Sequence, residues 1–295
     1  MNVIEVTNLS RSYGKLKAVD ALSFTIEKGS IYGLIGADGA GKTTLFRMLT
    51  TLLLPDSGSA AVLGYDVVKE YRQIRRNIGY MPGKFSLYED LSVEENLRFY
   101  ATIFGTTIKE NYHLIKDIYA HIEPFKTRPA GNLSGGMKQK LALSCALIHK
   151  PGILFLDEPT TGIDPISRKE LWSMLRKLAG EGITILVSTP YMDEALNCNR
   201  IAFMQDGKFL KEDSPENIIK GFKGKLYGIE CPDHKKAIKD LRKMYNPEHV
   251  YSFGDMIHLA AGSAGDLQLR LEREGHKNVV IKEIGPTLED CFMQL

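Results

Sequence analysis

Two stretches of the chain place reactive side chains at spacings that chemistry requires. The first is Gly36-Ala37-Asp38-Gly39-Ala40-Gly41-Lys42-Thr43-Thr44, a match to G-x-x-x-x-G-K-[ST]. Glycines in such a loop let successive backbone N–H groups turn toward phosphate oxygens, and a helix opening at the loop adds the positive end of its dipole. Gly36, Asp38, Gly39, Ala40 and Gly41 would line the phosphates. Lys42 would reach the β- and γ-phosphates, Thr43 would ligate Mg²⁺, and Thr44 would add a further phosphate contact. The plain alternative is a glycine-rich turn with no ligand.

The second stretch, Ile153-Leu154-Phe155-Leu156-Asp157-Glu158, sets two acids behind four apolar residues. A buried central strand emerging at a phosphate edge has this composition. Asp157 can hold the hydration shell of Mg²⁺, and Glu158 can orient or deprotonate an attacking water. An acidic helix cap after a core strand is the alternative for either acid alone.

Stepping outward from these residues, strand-like runs at Ile4 to Leu9, Leu22 to Ile26 and Ser30 to Ile35 precede a helix that runs from Gly41 to about Thr51. Residues from Val93 to about Ile148 are mostly helical in pattern, with Glu94 and Glu95 near one helix start. Strands at Ile153 to Leu156 and Thr184 to Val187 flank a helix around Arg168 to Leu178, and Gln205-Asp206-Gly207-Lys208 reads as a hairpin. Strands alternating with helices predict an α/β core on a largely parallel sheet. Past about Gly221 the pattern becomes a small α+β domain, with strands at Leu226 to Glu230, Val250 to Phe253, Met256 to Ala261 and Val279 to Ile284. A last helix is expected from about Pro286. The expected division is 1–220, with a helical subdomain at about 84–148, and 221–295.

Between the two reactive stretches stands Leu133-Ser134-Gly135-Gly136-Met137, and with it the chain resembles the ATP-binding cassette (ABC) family. The resemblance covers Met1 to about Lys220. It implies a P-loop NTPase (RecA-like) core with an inserted helical subdomain, ATP and Mg²⁺ as ligands, and ATP hydrolysis coupled to transport. It implies that Ser134, Gly135 and Gly136 bind the γ-phosphate of ATP held by an opposing cassette. Tyr13 matches the aromatic that stacks on adenine, and Asp164, in Thr161-Gly162-Ile163-Asp164, matches the loop that meets the partner cassette. The family's glutamine after the Leu-Ser-Gly-Gly segment is Met137 in this chain.

Two further departures concern the reaction itself. Family members usually carry glutamine where this chain has Gly83 and histidine where it has Pro190, and neither replacement can donate a side-chain hydrogen bond. Proline also loses its backbone donor and fixes φ. The expectation is a slow site that still binds ATP, and His149, set before the Asp157 strand, is expected to be structural. The segment Lys84 to Asn96 is similar to cassettes of the ABC-2 type export class, including multidrug-efflux ATPases, where this loop receives a helix of the membrane subunit. Pro286-Thr287-Leu288-Glu289-Asp290-Cys291-Phe292 resembles their closing P-[ST]-L-E-D-x-F segment. The implied partners are multi-span permease subunits and a second cassette, in a homodimer or in a heterodimer with a cassette that keeps both sensors. A regulatory subunit that clamps ATP without needing to hydrolyse it is the alternative.

Composition bounds these readings. Among 295 residues, 38 Lys and Arg against 36 Asp and Glu leave a formal charge of +2, which carries no signature of nucleic-acid binding. The 4 cysteines are scattered and form no C-x-x-C pair, arguing against a zinc site. The first residues do not read as a signal peptide, and no apolar run reaches bilayer length. The expected location is the cytoplasmic face of a membrane, held there by the permease.

Overall fold

The chain begins with two long strands, β1 (Asn2–Tyr13) and β2 (Leu16–Glu27), whose pairing is antiparallel. Leu22, Phe24 and Ile26 of β2 are buried while their neighbours are exposed, the alternation that a strand with one covered face requires. In the computed structural model, which describes residues 1–246 and 249–295, β3 (Ile31–Ile35) is buried at every position. That is the pattern of a parallel strand covered on both faces. Next come α1 (Lys42–Leu49), β4 (Ser57–Val62), β5 (Tyr65–Asp66), α2 (Tyr71–Asn77) and β6 (Ile78–Met81). The helical insertion holds α3 (Val93–Ile103), α4 (Ile108–Tyr119) and α5 (Gly135–Leu147). Alternation resumes with β7 (Ile153–Asp157), α6 (Pro165–Gly180), β8 (Thr184–Thr189), and the hairpin of β9 (Arg200–Gln205) and β10 (Lys208–Asp213).

Two sheets result in this first unit, which spans Met1–Ser214. The larger has 6 strands in the order β10-β9-β3-β8-β7-β6, parallel throughout except for β10. The smaller, β2-β1-β4-β5, is antiparallel, so the first two strands lie outside the parallel sheet. Between the sheets runs α1, whose Leu45, Phe46, Met48 and Leu49 are wholly buried with Phe24, Tyr32 and Phe155. Phe46 meets Phe155 edge-on at 5.9 Å between ring centroids. Full burial of such a side chain stabilises by about 1.5–3 kcal/mol, which fixes α1, and the loop before it, to the sheet.

Side chains also start the inserted helices. Ser92 and Glu95 form a reciprocal cap on α3, and Thr107 and Glu110 do the same on α4.

The second unit, Pro215–Leu295, begins at the helix α7 (Pro215–Lys220), so the observed division falls before this helix instead of after residue 220. It continues with β11 (Lys225–Glu230), α8 (His234–Met244), β12 (Val250–Phe253), β13 (Met256–Ala261), α9 (Ala264–Arg273), β14 (Val280–Ile284) and α10 (Leu288–Met293). The strands form one antiparallel sheet in the order β12-β13-β11-β14, over a core that includes Ile229, Leu241, Ile257, Leu259, Leu267 and Leu271. The closing segment is an anchor for this unit. Thr287 and Asp290 cap α10 reciprocally, and the buried Asp290 carboxylate accepts hydrogen bonds from Tyr251 and from His258 Nδ1, the latter at 2.7 Å. Cys291 donates to the Ile218 carbonyl of α7 at 3.5 Å.

Candidate nucleotide site

Sheet order decides what can meet. Adjacent strands β3, β8, β7 and β6 are parallel, so the segments that leave their carboxyl ends share one edge of the sheet. Those segments are, in spatial order, the loop 36–41, residues 189–190, Asp157-Glu158 and Pro82-Gly83. All were singled out from sequence, and none is close to the others in sequence order.

The loop 36–41 is shaped by close approach. A Cβ at Gly36 would lie 2.3 Å from the Met204 carbonyl oxygen, and one at Gly41 would lie 2.0 Å from that of Ala18. Gly41 also has φ 108°, which side chains rarely adopt. Lys42 is buried, with its Nζ 2.8 Å and 3.0 Å from the carbonyl oxygens of Gly36 and Ala37. It is 3.3 Å from Glu158 Oε1. Among the described residues, the backbone amides of Gly39, Gly41, Lys42, Thr43 and Thr44 have no acceptor, nor do the Thr43 and Thr44 hydroxyls make a hydrogen bond. Amide donors, two hydroxyls and one ammonium at a helix start are a donor set that fits a polyphosphate. Asp38 is exposed at the loop tip.

On the acidic side, Asp157 is buried and accepts a 2.6 Å hydrogen bond from Ser188 Oγ. Glu158 is half-buried, and its N–H is bound by Ser188 through both the backbone oxygen at 3.1 Å and Oγ at 3.0 Å. Glu158 has φ 51°, a left-handed conformation that costs about 1–3 kcal/mol and persists only where neighbours impose it. Ser188 is the neighbour that does so, and it gave no signal in sequence beyond its place in the strand. Asp157 also acts on Tyr80: burial first, and this nearby carboxylate second, push the phenol up to about 12.

Both departures flank these acids. A Cβ at Gly83 would lie 3.2 Å from the Asp157 carbonyl oxygen and 3.9 Å from Glu158 Cβ. Pro190 follows Thr189, which pairs with Ile35, and the Gly36 N–H reaches the Thr189 carbonyl at 3.4 Å. Position 190 therefore adjoins the start of the phosphate loop. His149 lies elsewhere, its Nε2 2.9 Å from the Ile78 carbonyl oxygen at the opposite end of β6 and its ring stacked on Phe104 at 3.7 Å. Burial lowers its pKa.

The remaining residues form a second surface. Ser134 is exposed and caps α5, accepting from the Met137 N–H at 3.4 Å, and makes no hydrogen bond to the loop 36–41. A Cβ at Gly135 would sit 3.2 Å from the Gly162 carbonyl oxygen, and one at Gly136 would sit 2.9 Å from Ser167 Oγ. The segment 134–136 thus lies against the loop that carries Asp164. Asp164 itself caps α6, accepting from the Ile166 and Ser167 amides at 3.0 Å each, and these bonds, that of Ser167 first, lower its pKa. Tyr13, at the end of β1, is exposed at 45%, with the Arg11 guanidinium 5.5 Å from its ring centre.

Beside β6, a cavity of about 250 Å³ opens between the sheet edge and the helices α3 and α5, lined by residues that include Tyr80, Leu87, Tyr100, Phe104, Cys145 and His149. Among the described residues no helix is long and apolar enough to cross a membrane.

Residues 19–161 match the family described as ABC transporter. The chain is 41% identical over 283 residues to the protein named probable multidrug ABC transporter ATP-binding protein YbhF of Escherichia coli, covering 94% of this chain and 49% of that one. It thus spans about half the length of the first curated relatives it matches. It is 36% identical to the Nod factor export ATP-binding protein I of Sinorhizobium fredii, over 99% of this chain and 85% of that protein. Among solved structures, the fold resembles an ATP-binding subunit of an ABC transporter at TM-score 0.68 and 28% identity, covering 74% of this chain and 92% of that one. A dimeric bacterial ABC transporter cassette matches at TM-score 0.65 and 25% identity, over 72% of this chain and 98% of that one.

Proposed function

The chain belongs to the ATP-binding cassette family of transporter ATPases, and from that premise we propose that it is the ATP-hydrolysing subunit of a membrane exporter, with a slow site of its own. The observation that carries this reading is the 3.3 Å approach of Lys42 to Glu158, between two positions, 83 and 190, that offer no side-chain donor. ATP enters with its phosphates on the amides of Gly39 and of residues 41–44, and the Lys42 ammonium exchanges the Gly36 and Ala37 carbonyls for phosphate oxygens. Thr43 and Asp157 would hold Mg²⁺, Asp157 through water, and the bound ion would neutralise charge on the phosphates. Glu158, released from Lys42, takes a proton from the attacking water as that oxygen bonds to the γ-phosphorus and the bond to the β-phosphate oxygen breaks, leaving ADP.

Asp38 and Ala40 line the same loop, and Tyr13 stacks on the adenine. Ser134, Gly135 and Gly136 act on the ATP of an opposing cassette, as does the loop at Asp164, whose carboxylate is shared with the cap of α6. Closing two cassettes around two ATP molecules drives the permease, and a helix of the permease enters the cavity beside β6. The protein is held at the cytoplasmic face of the membrane by that contact. Removing one group that stabilises the transition state typically costs about 10²–10³ in rate, which is the physical basis for a slow site with both sensors replaced.

The same two replacements favour a second reading, a regulatory subunit that clamps ATP and whose hydrolysis is dispensable. Glu158→Gln in the assembled transporter separates them. Export of substrate collapses if this chain hydrolyses productively, and continues if it only clamps.

A further inference from the structure

Behind the two acids lies a buried carboxylate that the reaction as described does not use. Glu194 is 2% exposed, in a short helical turn after β8. Its Oε2 accepts from Thr189 Oγ1 at 2.7 Å and from Thr160 Oγ1 at 2.9 Å, and both threonines are fully buried. Its Oε1 faces Arg168 Nε of α6 at 3.3 Å. Three segments therefore converge on one carboxylate: the end of β8 next to Pro190, the turn that follows Glu158, and the first turn of the helix that begins at Asp164. Thr189 in turn accepts from the Tyr191 N–H at 3.0 Å, which brackets Pro190 between two residues of this network.

This matters because Glu158 is held in a strained conformation and Pro190 contributes no donor of its own. We propose that Glu194 is a positioning residue for ATP hydrolysis, fixing through Thr160 and Thr189 the two loops that must place Glu158 and the strand end at residue 190 against the γ-phosphate. The turn from Glu158 is closed by the Thr161 N–H on the Glu158 carbonyl at 3.2 Å, and Thr160, inside that turn, has no other side-chain hydrogen bond among the described residues. Cutting the Thr160 link frees the turn while leaving Lys42, Asp157 and the phosphate loop untouched. A displacement of about 1 Å at a reacting group can cost on the order of a hundredfold in rate. The inference rests on the reading of this chain as an ATPase.

The test is single-turnover hydrolysis and ATP affinity, measured on the full chain carrying Thr160→Val, Thr160→Ser or Glu194→Gln. Valine keeps the shape of threonine and removes only the donor. The expected result is a fall of about tenfold or more in the rate for Thr160→Val and Glu194→Gln, with ATP affinity within about twofold of the parent and the rate restored in Thr160→Ser. A purely structural role would move the melting temperature without this split between rate and affinity. If Thr160→Val turns over as fast as a parent that hydrolyses ATP, the positioning role is overturned and the ATPase reading stands. If the parent binds ATP and releases no phosphate, both are overturned.

Discussion

Replacing Pro190 with histidine should raise turnover, and the size of the gain follows from where the residue sits. Position 190 adjoins the phosphate loop, because Thr189 pairs with Ile35 and its carbonyl binds the Gly36 N–H at 3.4 Å. A side-chain donor there would gain one hydrogen bond to a charged phosphate, a net of about 1.5–3 kcal/mol. If that bond forms only in the transition state, at about 1.4 kcal/mol per factor of ten it gives roughly 10- to 150-fold in rate. Gly83→Gln is expected to give less. Its Cβ would press on the Asp157 carbonyl oxygen at 3.2 Å, and crowding of this kind costs about 1 kcal/mol or more, leaving roughly two- to thirtyfold. Steady-state phosphate release from Pro190→His, Gly83→Gln and the double variant, with ATP affinity measured in parallel, reads these gains directly. Rates within twofold of the parent for all three, at unchanged affinity, would refute the reasoning that missing donors slow this site.

Three other outcomes are expected. Lys42→Ala removes the ammonium that sits buried among the loop carbonyls, and ATP affinity by calorimetry should fall on the order of a hundredfold, given about 4 kcal/mol for a charge pair at 4 Å near a protein surface before screening. Ser86→Trp at the cavity beside β6 should abolish co-purification with the proposed permease while ATP affinity stays unchanged. Asp290→Ala should destabilise the 215–295 unit by about 3 kcal/mol in urea unfolding, because it strands His258 and Tyr251 without their acceptor. Burial alone would raise the Asp290 pKa, but the hydrogen bonds from Tyr251, His258 and Thr287 together lower it below 3.8. Its stabilisation is thus complete above the unfolded value and is lost as pH falls through the lowered one, so Asp290→Ala should flatten the acid limb of the stability curve below about pH 4.

The candidate nucleotide site was legible because its residues lie in short segments. A parallel strand covered on both faces must be apolar, so Asp157 and Glu158 stood out against Ile153 to Leu156, and the glycines of the phosphate loop have no cheaper substitute. The antiparallel sheet was legible only in part: the runs Ile4 to Leu9 and Leu22 to Ile26 lie in β1 and β2, while β4 and β5 left no signal. Ser57–Val62 is small and polar, with only Ala60 and Val62 buried, and its pairing with β1 is a long-range event interrupted by a bulge. The same holds for Ser188, Thr160 and Glu194, whose roles arise from hydrogen bonds between residues about 30 positions apart. A side chain of ordinary type with a distant partner leaves no periodicity to read. The cap at Ser92 was local and readable, yet only Glu94 and Glu95 marked that helix start in sequence. In the second unit strand positions were recovered nearly to the residue, while the cluster at Asp290 needed the fold to bring Tyr251 and His258 to it.

The central claim, an ATP-binding cassette that holds nucleotide firmly and hydrolyses it slowly through Glu158, is tested most directly by following bound ATP and released phosphate together in one single-turnover experiment on the full chain and on Glu158→Gln. Both proteins should bind ATP with the same affinity, the parent should release phosphate slowly, and Glu158→Gln should release none on that timescale. Phosphate release from Glu158→Gln as fast as from the parent, or failure of the parent to hold ATP, would contradict it.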